Sequence, residues 1–261
     1  MRISVAATAP FGADVLERLA ARHEVAALLT RPDSPAGRGR KLAAPPAKVV
    51  AERLGIAVLQ PERPTAELEL PGDAVVVAAY GLLIPESLLA RGLWLNVHPS
   101  LLPRWRGAAP VERALLAGDT ETGVTIHETV KELDAGPVAA QRSFPLTAGD
   151  DAGTVYARAA ELAVELLDDV LPEPVFAPQQ GEPTYAAKIE AADRELDLSR
   201  AEESLNRIRA LSPHIGARGE LDGRRVTIWK ARLEGGQLVP VEVQPEGGTR
   251  MGYDDWLRGL R

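Results

Sequence analysis

The N-terminal part of the sequence places an amphipathic helix between two apolar strands. The strands are predicted over residues 3–7 and 25–30, and Val15, Leu16 and Leu19 lie between them at helical spacing. Two parallel strands joined by a helix require a right-handed crossover, so this order predicts an α/β fold with a mostly parallel sheet. The connection after the first strand lacks the Gly-x-Gly-x-x-Gly fingerprint, and we therefore expect no dinucleotide cofactor.

Composition limits the classes that the chain can belong to. Its 261 residues are 45% hydrophobic, which is enough for one large domain or two modest ones with a sizeable core. The net charge of −7 argues against general nucleic-acid coating, although a local basic patch can still bind nucleic acid. The sequence has no cysteine, no convincing signal peptide and no apolar run of membrane-spanning length. These features predict a cytoplasmic protein with no membrane partner.

A strand ending in two polar residues is the first candidate for chemistry. Asn96 and His98 are two residues apart on a predicted strand, so their side chains project from one face. By spacing alone, such a pair is usually no more than two polar side chains on a strand. The loop that follows, residues 99–110, is basic but carries Leu101, Leu102 and Trp105. Large apolar groups in a loop indicate that it lines a pocket.

Three further stretches contain candidate residues. Residues 31–46 are rich in Pro and Gly and strongly basic, which suits either a solvated loop or an arm that touches phosphates. Residues 80–85 form a second apolar loop at a strand end. Residues 133–137, Leu-Asp-Ala-Gly-Pro, are typical of a plain turn. The role of His127, which follows an apolar strand, stays open.

The sequence changes character after a proline-rich stretch. Residues 172–183 predict a linker, since they hold few apolar anchors. Beyond it we expect a helix to about residue 211 and then a small antiparallel sheet, because Asp222-Gly223 and Gly235-Gly236 separate strand-like runs. The predicted organisation is therefore a domain over residues 1–171, a linker, and a β-rich unit over residues 184–261.

Together these features resemble the folate-dependent formyltransferases. Three segments carry the likeness: residues 31–41, residues 96–110 followed by 118–119 and 121–126, and residues 184–189. Asn-x-His, Ser-Leu-Leu-Pro and Leu-Asp-x-Gly are shared by several formyltransferases, whereas Arg-Trp-Arg-Gly-Ala-Ala-Pro and Pro-Ala-Gly-Arg-Gly are typical of the methionyl-tRNA formyltransferase family. The resemblance implies a Rossmann-like formyltransferase domain followed by a reduced, OB-like C-terminal domain.

The resemblance also implies a reaction and a set of site residues. A formyl group would pass, without a metal, from 10-formyltetrahydrofolate to the amino group of methionyl initiator tRNA. Asn96 would donate an N–H to the oxyanion, His98 would stabilise the oxyanion or pass protons, and Asp134 would raise the basicity of the histidine. The implied folate contacts are Ser100, Leu101, Leu102 and Pro103, with Tyr80, Gly81, Leu82 and Leu83 packing the pterin. The implied tRNA-binding loop contains Arg31, Arg38, Arg40 and Lys41.

Two departures from the family pattern keep alternatives open. The first turn, residues 7–11, lacks the Gly and Asp often found there, and the C-terminal unit is short, with a stretch missing between residues 226–231 and 238–248 and no final extension. A formyltransferase acting on a small amine such as an amino sugar, a silent folate- or tRNA-binding paralogue, and a formyltetrahydrofolate hydrolase are the alternatives. The basic loop favours tRNA, and the intact Asn96, His98 and Asp134 favour catalysis.

Overall fold

The computed structural model describes residues 1–36 and 41–260. The chain forms two compact units that interleave along the sequence. The first comprises Met1–Arg106, Gly123–Ser143 and Ala157–Thr184. The second comprises Gly107–Thr122, Phe144–Tyr156 and Tyr185–Arg261.

The described residues form fifteen strands, seven α-helices and one short 3-10 helix, at Ala192–Arg194. The strands are β1 (Arg2–Ala7), β2 (Glu24–Leu29), β3 (Ser34–Ala36), β4 (Lys41–Ala43), β5 (Ala57–Leu59), β6 (Ala74–Ala78), β7 (Leu93–His98), β8 (Arg106–Gly107), β9 (Glu121–Glu128), β10 (Val138–Pro145), β11 (Tyr185–Ala186), β12 (Ala217–Leu221), β13 (Arg224–Glu234), β14 (Gln237–Pro245) and β15 (Met251–Gly252). The helices are α1 (Pro10–Ala20), α2 (Pro46–Arg53), α3 (Glu86–Leu89), α4 (Pro110–Ala117), α5 (Ala152–Val170), α6 (Ala201–Leu211) and α7 (Tyr253–Arg258).

A seven-stranded sheet confirms the predicted α/β fold. Its order is β10-β9-β7-β6-β1-β2-β5, with β1 parallel to β2 and β6, β5 parallel to β2, and β7 parallel to β6. Strand β9 is antiparallel to β7. The central strands are buried on both faces, and every residue of β6 (Ala-Val-Val-Val-Ala) is buried. Such unbroken apolar runs are what a parallel strand covered by helices requires.

Helix α1 packs very closely on the centre of this sheet. Pro10 occupies its first turn, where a missing N–H costs nothing. At Gly12 an added Cβ atom would lie 2.2 Å from the carbonyl oxygen of Ala78 and 2.8 Å from the Cβ atom of Ala7. Only a glycine therefore lets the helix approach β1 and β6 this closely.

The second unit contains the small antiparallel sheet that the sequence predicts. Its order is β12-β13-β14-β15. Asp222-Gly223 and Gly235-Gly236 form the two-residue turns, and all four residues have positive φ, as such hairpin turns require. Strand β13 passes directly into β14 through the second of these turns. Helix α6 packs on this sheet, with Ile208 and Leu211 fully buried.

The basic segment predicted as a loop contains two short, paired strands in its described part. Strand β3 pairs with β4, with Ser34 opposite Ala43 and Ala36 opposite Lys41. Within residues 1–36 and 41–260, no helix is long and apolar enough to cross a membrane.

The close approach at Gly12 leads to a stability prediction. Replacing Gly12 by Ala should lower the free energy of unfolding by about 1–3 kcal/mol, because the methyl group must push α1 away from β6. Urea denaturation measures this change. Gly92→Ala is the matched control, since nothing lies within 4 Å of the added atom. Equal stability of the two variants would contradict the packing described for α1.

Candidate active site

Two polar side chains leave the end of β7 on the same face of the sheet. Asn96 lies directly opposite His127 of β9, and His98 lies opposite Thr125. Directly opposed residues of an antiparallel pair project to the same side. The strand register therefore brings His127 to Asn96, although the two are far apart in the sequence.

The amide of Asn96 is held by two acceptors. Its Nδ2 atom lies 2.9 Å from Nε2 of His127 and 3.2 Å from Oδ1 of Asp134. A carboxylate oxygen accepts hydrogen bonds and does not donate, so this contact fixes which end of the amide faces Asp134. Both Nδ2 hydrogens are therefore engaged, one on the imidazole and one on the carboxylate.

His127 can accept because its other nitrogen donates. Its Nδ1 atom lies 2.8 Å from the carbonyl oxygen of Glu128, so Nδ1 carries a hydrogen. In the neutral ring the lone pair is then on Nε2, which faces Asn96. The ring is 2% exposed. His127 is thus a buried ring whose orientation is fixed by its two hydrogen-bond partners.

His98 has the opposite arrangement. Its Nε2 atom donates to the carbonyl oxygen of Trp105 at 2.8 Å, and its Nδ1 atom lies 3.6 Å from Oδ2 of Asp134. Burial lowers the pKa of His98 below the usual 6.5, while the nearby Asp134 carboxylate acts against that shift. The neutral ring therefore presents the Nδ1 lone pair beside a carboxylate that would stabilise a proton arriving there.

A tight turn holds Asp134 in this position. Asp134 itself has a φ of +50°, a left-handed conformation that Asp tolerates better than most residues. At Gly136 a Cβ atom would lie 1.8 Å from the carbonyl oxygen of Glu128, so no side chain fits there. The amide of Gln179 donates to the carbonyl oxygens of both Asp134 and Gly136, at 2.8 and 2.9 Å. Arg106 in turn donates to Oε1 of Gln179.

The loop after β7, predicted to contact folate, is fixed mainly through its backbone. The Ser100 hydroxyl is fully buried and donates to the carbonyl oxygen of Arg104 at 2.6 Å. Thr125 donates to the carbonyl oxygen of Ser100 and accepts from the Leu102 N–H. Leu101 and Pro103 are half-buried, whereas Leu102 is buried. The hydroxyl of Ser100 therefore shapes the loop from within.

The apolar loop after β6 divides into a buried and an exposed part. The Tyr80 ring is 2% exposed and packs in a core cluster with Leu29, Ile84 and Trp94, which raises the pKa of Tyr80 to about 12. Leu82 packs at the edge of that cluster. Gly81 and Leu83 are exposed. Of the four predicted pterin contacts, only these last two lie fully open at the strand end.

The predicted tRNA-binding residues are only partly within the described chain. Arg38 and Arg40 lie outside the described residues. Lys41 is exposed at the start of β4. Arg31 is also exposed, and its Nη1 atom lies 4.0 Å from the position of a Cβ atom on Gly81.

Three site groups were missed or left open by the sequence analysis. His127 is assigned only by the β7–β9 register, and its single sequence signal is its position two residues after Thr125 on a strand. Gln179 lies in the predicted linker, where no local pattern marks it. The third group, the carbonyl group of Trp105, belongs to the backbone, so no side-chain pattern indicates it. In the described part of the chain, no group of His, Asp and Glu side chains is placed to hold a metal ion.

Comparison with known proteins identifies the family. The Formyl transferase family model matches residues 1–171. The methionyl-tRNA formyltransferase of Nitrosospira multiformis is 41% identical over 250 residues, covering 90% of this chain and 80% of the relative. The enzyme of that name from Dechloromonas aromatica is 39% identical over 294 positions, covering 99% of this chain and 96% of the relative. The chain belongs to the methionyl-tRNA formyltransferase family. It is a formyl-transferring enzyme. The alignment with the Dechloromonas aromatica enzyme has more positions than this chain has residues, so this member lacks residues that its relative has.

Solved structures agree with this fold. Methionyl-tRNA formyltransferase from Clostridium thermocellum superposes with a TM-score of 0.66 at 15% identity, over 94% of this chain and 98% of that one. HypX from Aquifex aeolicus, solved in complex with tetrahydrofolic acid, superposes with a TM-score of 0.63 at 17% identity, over 98% of this chain and 46% of HypX. Both structures confirm the fold class expected from the sequence.

The environment of His98 predicts its titration. We expect a pKa below 6.5 for His98 in the folded enzyme, and a lower value still in Asp134→Asn, because this change removes the carboxylate that favours the cation. NMR titration of the imidazole nitrogens measures both values. Between the lowered pKa and 6.5 the unfolded chain binds more protons, so this group makes the free energy of unfolding fall as the pH falls through that window. A pKa at or above 6.5 would contradict the burial argument.

Proposed function

We propose that this enzyme transfers the formyl group of 10-formyltetrahydrofolate to the amino group of methionyl initiator tRNA, in translation initiation. One observation carries the proposal: Asn96, His98 and Asp134 converge at the end of β7. The chain that holds them aligns over nearly its full length with a relative named methionyl-tRNA formyltransferase. An amide, an imidazole and a carboxylate are sufficient for acyl transfer without a metal.

In this proposal His98 handles the proton at Nδ1. Its Nε2 atom is committed to the Trp105 carbonyl group, which leaves Nδ1 as the basic atom. As the neutral amine attacks the formyl carbon, the amine nitrogen gives a proton to Nδ1. The new imidazolium then lies beside Asp134, which stabilises it.

Asn96 stabilises the oxyanion that forms on the formyl oxygen. Its hydrogen bond to Asp134, at 3.2 Å, is the longer of the two Nδ2 contacts. When Asp134 turns to the protonated His98, this N–H is released to the oxyanion, while His127 keeps the amide oriented. The same charge movement thus supplies the donor where negative charge develops.

Collapse of the tetrahedral intermediate completes the transfer. The oxyanion re-forms the carbonyl group, and the bond between the formyl carbon and the folate nitrogen breaks. The leaving folate nitrogen takes up the proton that His98 Nδ1 received from the amine. The products are the formylated amine and tetrahydrofolate, and the enzyme returns to its starting protonation state.

The loops at the strand ends are the proposed donor site. Residues 100–103 after β7 and residues 80–83 after β6 flank the catalytic cluster in the first unit. Tetrahydrofolic acid in the HypX structure supports a folate donor for this fold. Because Tyr80 and Ser100 are buried, we propose that both shape these loops, whereas Gly81, Leu83, Leu101 and Pro103 offer the contact surface.

The acceptor is assigned by the basic arm, which we define as residues 31–41. Arg31, Arg38, Arg40 and Lys41 would contact phosphates of the tRNA acceptor end.

We propose the same domain organisation as the sequence predicts: a catalytic domain over residues 1–171, a linker over residues 172–183, and a C-terminal domain over residues 184–261.

Each catalytic side chain should be required for turnover. Asn96→Ala, His98→Ala and Asp134→Ala should each lower kcat by at least about a hundredfold, because each removes a proton carrier, its partner or an oxyanion donor. Initial rates of methionyl-tRNA formylation measure the loss, and circular dichroism checks folding. A near-normal rate in any one variant would remove that residue from the mechanism.

The acceptor is tested by competition between substrates. We expect formylation of charged initiator tRNA and no comparable activity on a panel of small amines that includes amino sugars. Activity on an amine with none on the tRNA would establish the small-amine alternative. Absence of any formyl transfer, with folate or tRNA still bound, would establish the silent paralogue.

The basic arm is tested by replacing Arg38, Arg40 and Lys41 by Ala. This change should weaken tRNA affinity and reduce the dependence of that affinity on salt concentration.

A further inference from the structure

A polar cluster outside the catalytic site connects the first residues of the basic arm to the helix and strand that follow it. Lys48, near the start of α2, places Nζ 2.9 Å from both carboxylate oxygens of Asp33. Gln60, just after β5, donates from Nε2 to Oδ1 of Asp33 at 2.9 Å and to the carbonyl oxygen of Arg31 at 2.8 Å. We call Asp33, Lys48 and Gln60 the arm clamp.

The arm clamp is more enclosed than an ordinary surface ion pair. The Lys48 side chain is 17% exposed and that of Asp33 is 27% exposed. The Gln60 amide and the Lys48 ammonium hold the pKa of the Asp33 carboxyl below its usual value. The carboxylate is thus charged and fully engaged at neutral pH, and it accepts from two different elements of the fold.

The arm clamp joins two segments of the chain that lie on either side of the arm. Asp33 lies at the beginning of the arm, and Lys48 lies in α2, the helix that follows the arm. Their ion pair therefore closes the arm at its base, while pairing of β3 with β4 holds the stem above it. A loop whose ends are fixed has less conformational freedom to lose when it binds a partner.

We propose that the arm clamp is a positioning device that presents the basic arm to the acceptor tRNA, with Lys48 and Gln60 acting through Asp33 and not by touching the RNA. This inference rests on the proposed function, because it needs a tRNA acceptor. It assigns to Lys48 and Gln60 a role in the KM for tRNA, and none in the chemical step.

Three variants test the clamp. Lys48→Met, Gln60→Leu and Asp33→Asn should each raise the KM for methionyl-tRNA by about fivefold to twentyfold, because a free arm must be ordered on binding. The kcat and the KM for 10-formyltetrahydrofolate should stay within about twofold for Lys48→Met and Gln60→Leu, since the clamp lies apart from the catalytic groups. Lys48→Arg should restore most of the affinity by re-forming the ion pair.

Asp33→Asn separates positioning from direct electrostatic contact. If Lys48 bound phosphate directly, removing the neighbouring negative charge would strengthen tRNA binding or leave it unchanged. The clamp predicts weaker binding. The double variant Asp33→Asn, Lys48→Met should bind tRNA no more weakly than the worse single variant, because both changes break one interaction.

A matched control is available on the same helix. Arg53 of α2 pairs with Glu17, and both side chains are more than half exposed. Arg53→Met removes one positive charge from α2 without touching the arm and should leave the KM for tRNA unchanged. An equal rise in this control would show a general charge effect and overturn the clamp.

Hydrogen exchange distinguishes failure of this inference from failure of the proposed function. In the free enzyme, amides of residues 31–36 and 41–43 should exchange faster in Lys48→Met than in the wild-type protein. Unchanged exchange, or an unchanged KM for tRNA in an active wild-type background, would overturn the clamp. A wild-type enzyme that formylates no methionyl-tRNA would instead overturn the proposed function and the role of the clamp in it.

Discussion

A polar cluster buried beside an apolar sheet is the constraint on which the candidate active site depends. His98, His127 and the carboxylate of Asp134 are almost wholly removed from water, and unpartnered polar groups there would cost several kcal/mol each. Their hydrogen bonds must therefore be made within the protein. The antiparallel pairing of β9 with β7, the left-handed conformation at Asp134 and the glycine at position 136 all serve to bring the partners into range.

The two buried histidines differ in what they can do because their second nitrogens differ. Nδ1 of His127 donates to a backbone carbonyl group, and its Nε2 atom faces the amide of Asn96. Nε2 of His98 donates to another backbone carbonyl group, which leaves Nδ1 facing the Asp134 carboxylate. Burial lowers the pKa of His98, and the Asp134 carboxylate opposes that shift. In the mechanism that we propose, His127 orients Asn96 and His98 carries the proton.

Much of this could be predicted from the sequence. The order of strands and helices, the two-residue hairpins at Asp222-Gly223 and Gly235-Gly236, and the strand ending in Asn96 and His98 follow from patterns that are local in the chain. The segments that resemble the methionyl-tRNA formyltransferases led to the family that the comparisons confirm. Other features escaped because they depend on contacts between distant residues. Nothing local marks Gln179 as the residue that holds the Asp134 turn, and nothing local shows that the Tyr80 ring lies in the core.

The sequence by itself determined the local structure and the chemical groups available: an α/β domain, an amide and an imidazole two residues apart, a carboxylate before a glycine, and a basic arm. Hydrophobic periodicity and turn chemistry act over a few residues, so they can be read directly from the chain. The tertiary structure alone decided which nitrogen of each histidine is free, which side chain orients Asn96, and that Lys48 and Gln60 hold the base of the arm. Those outcomes depend on strand register and on packing between segments separated by many residues, which short-range sequence patterns do not specify.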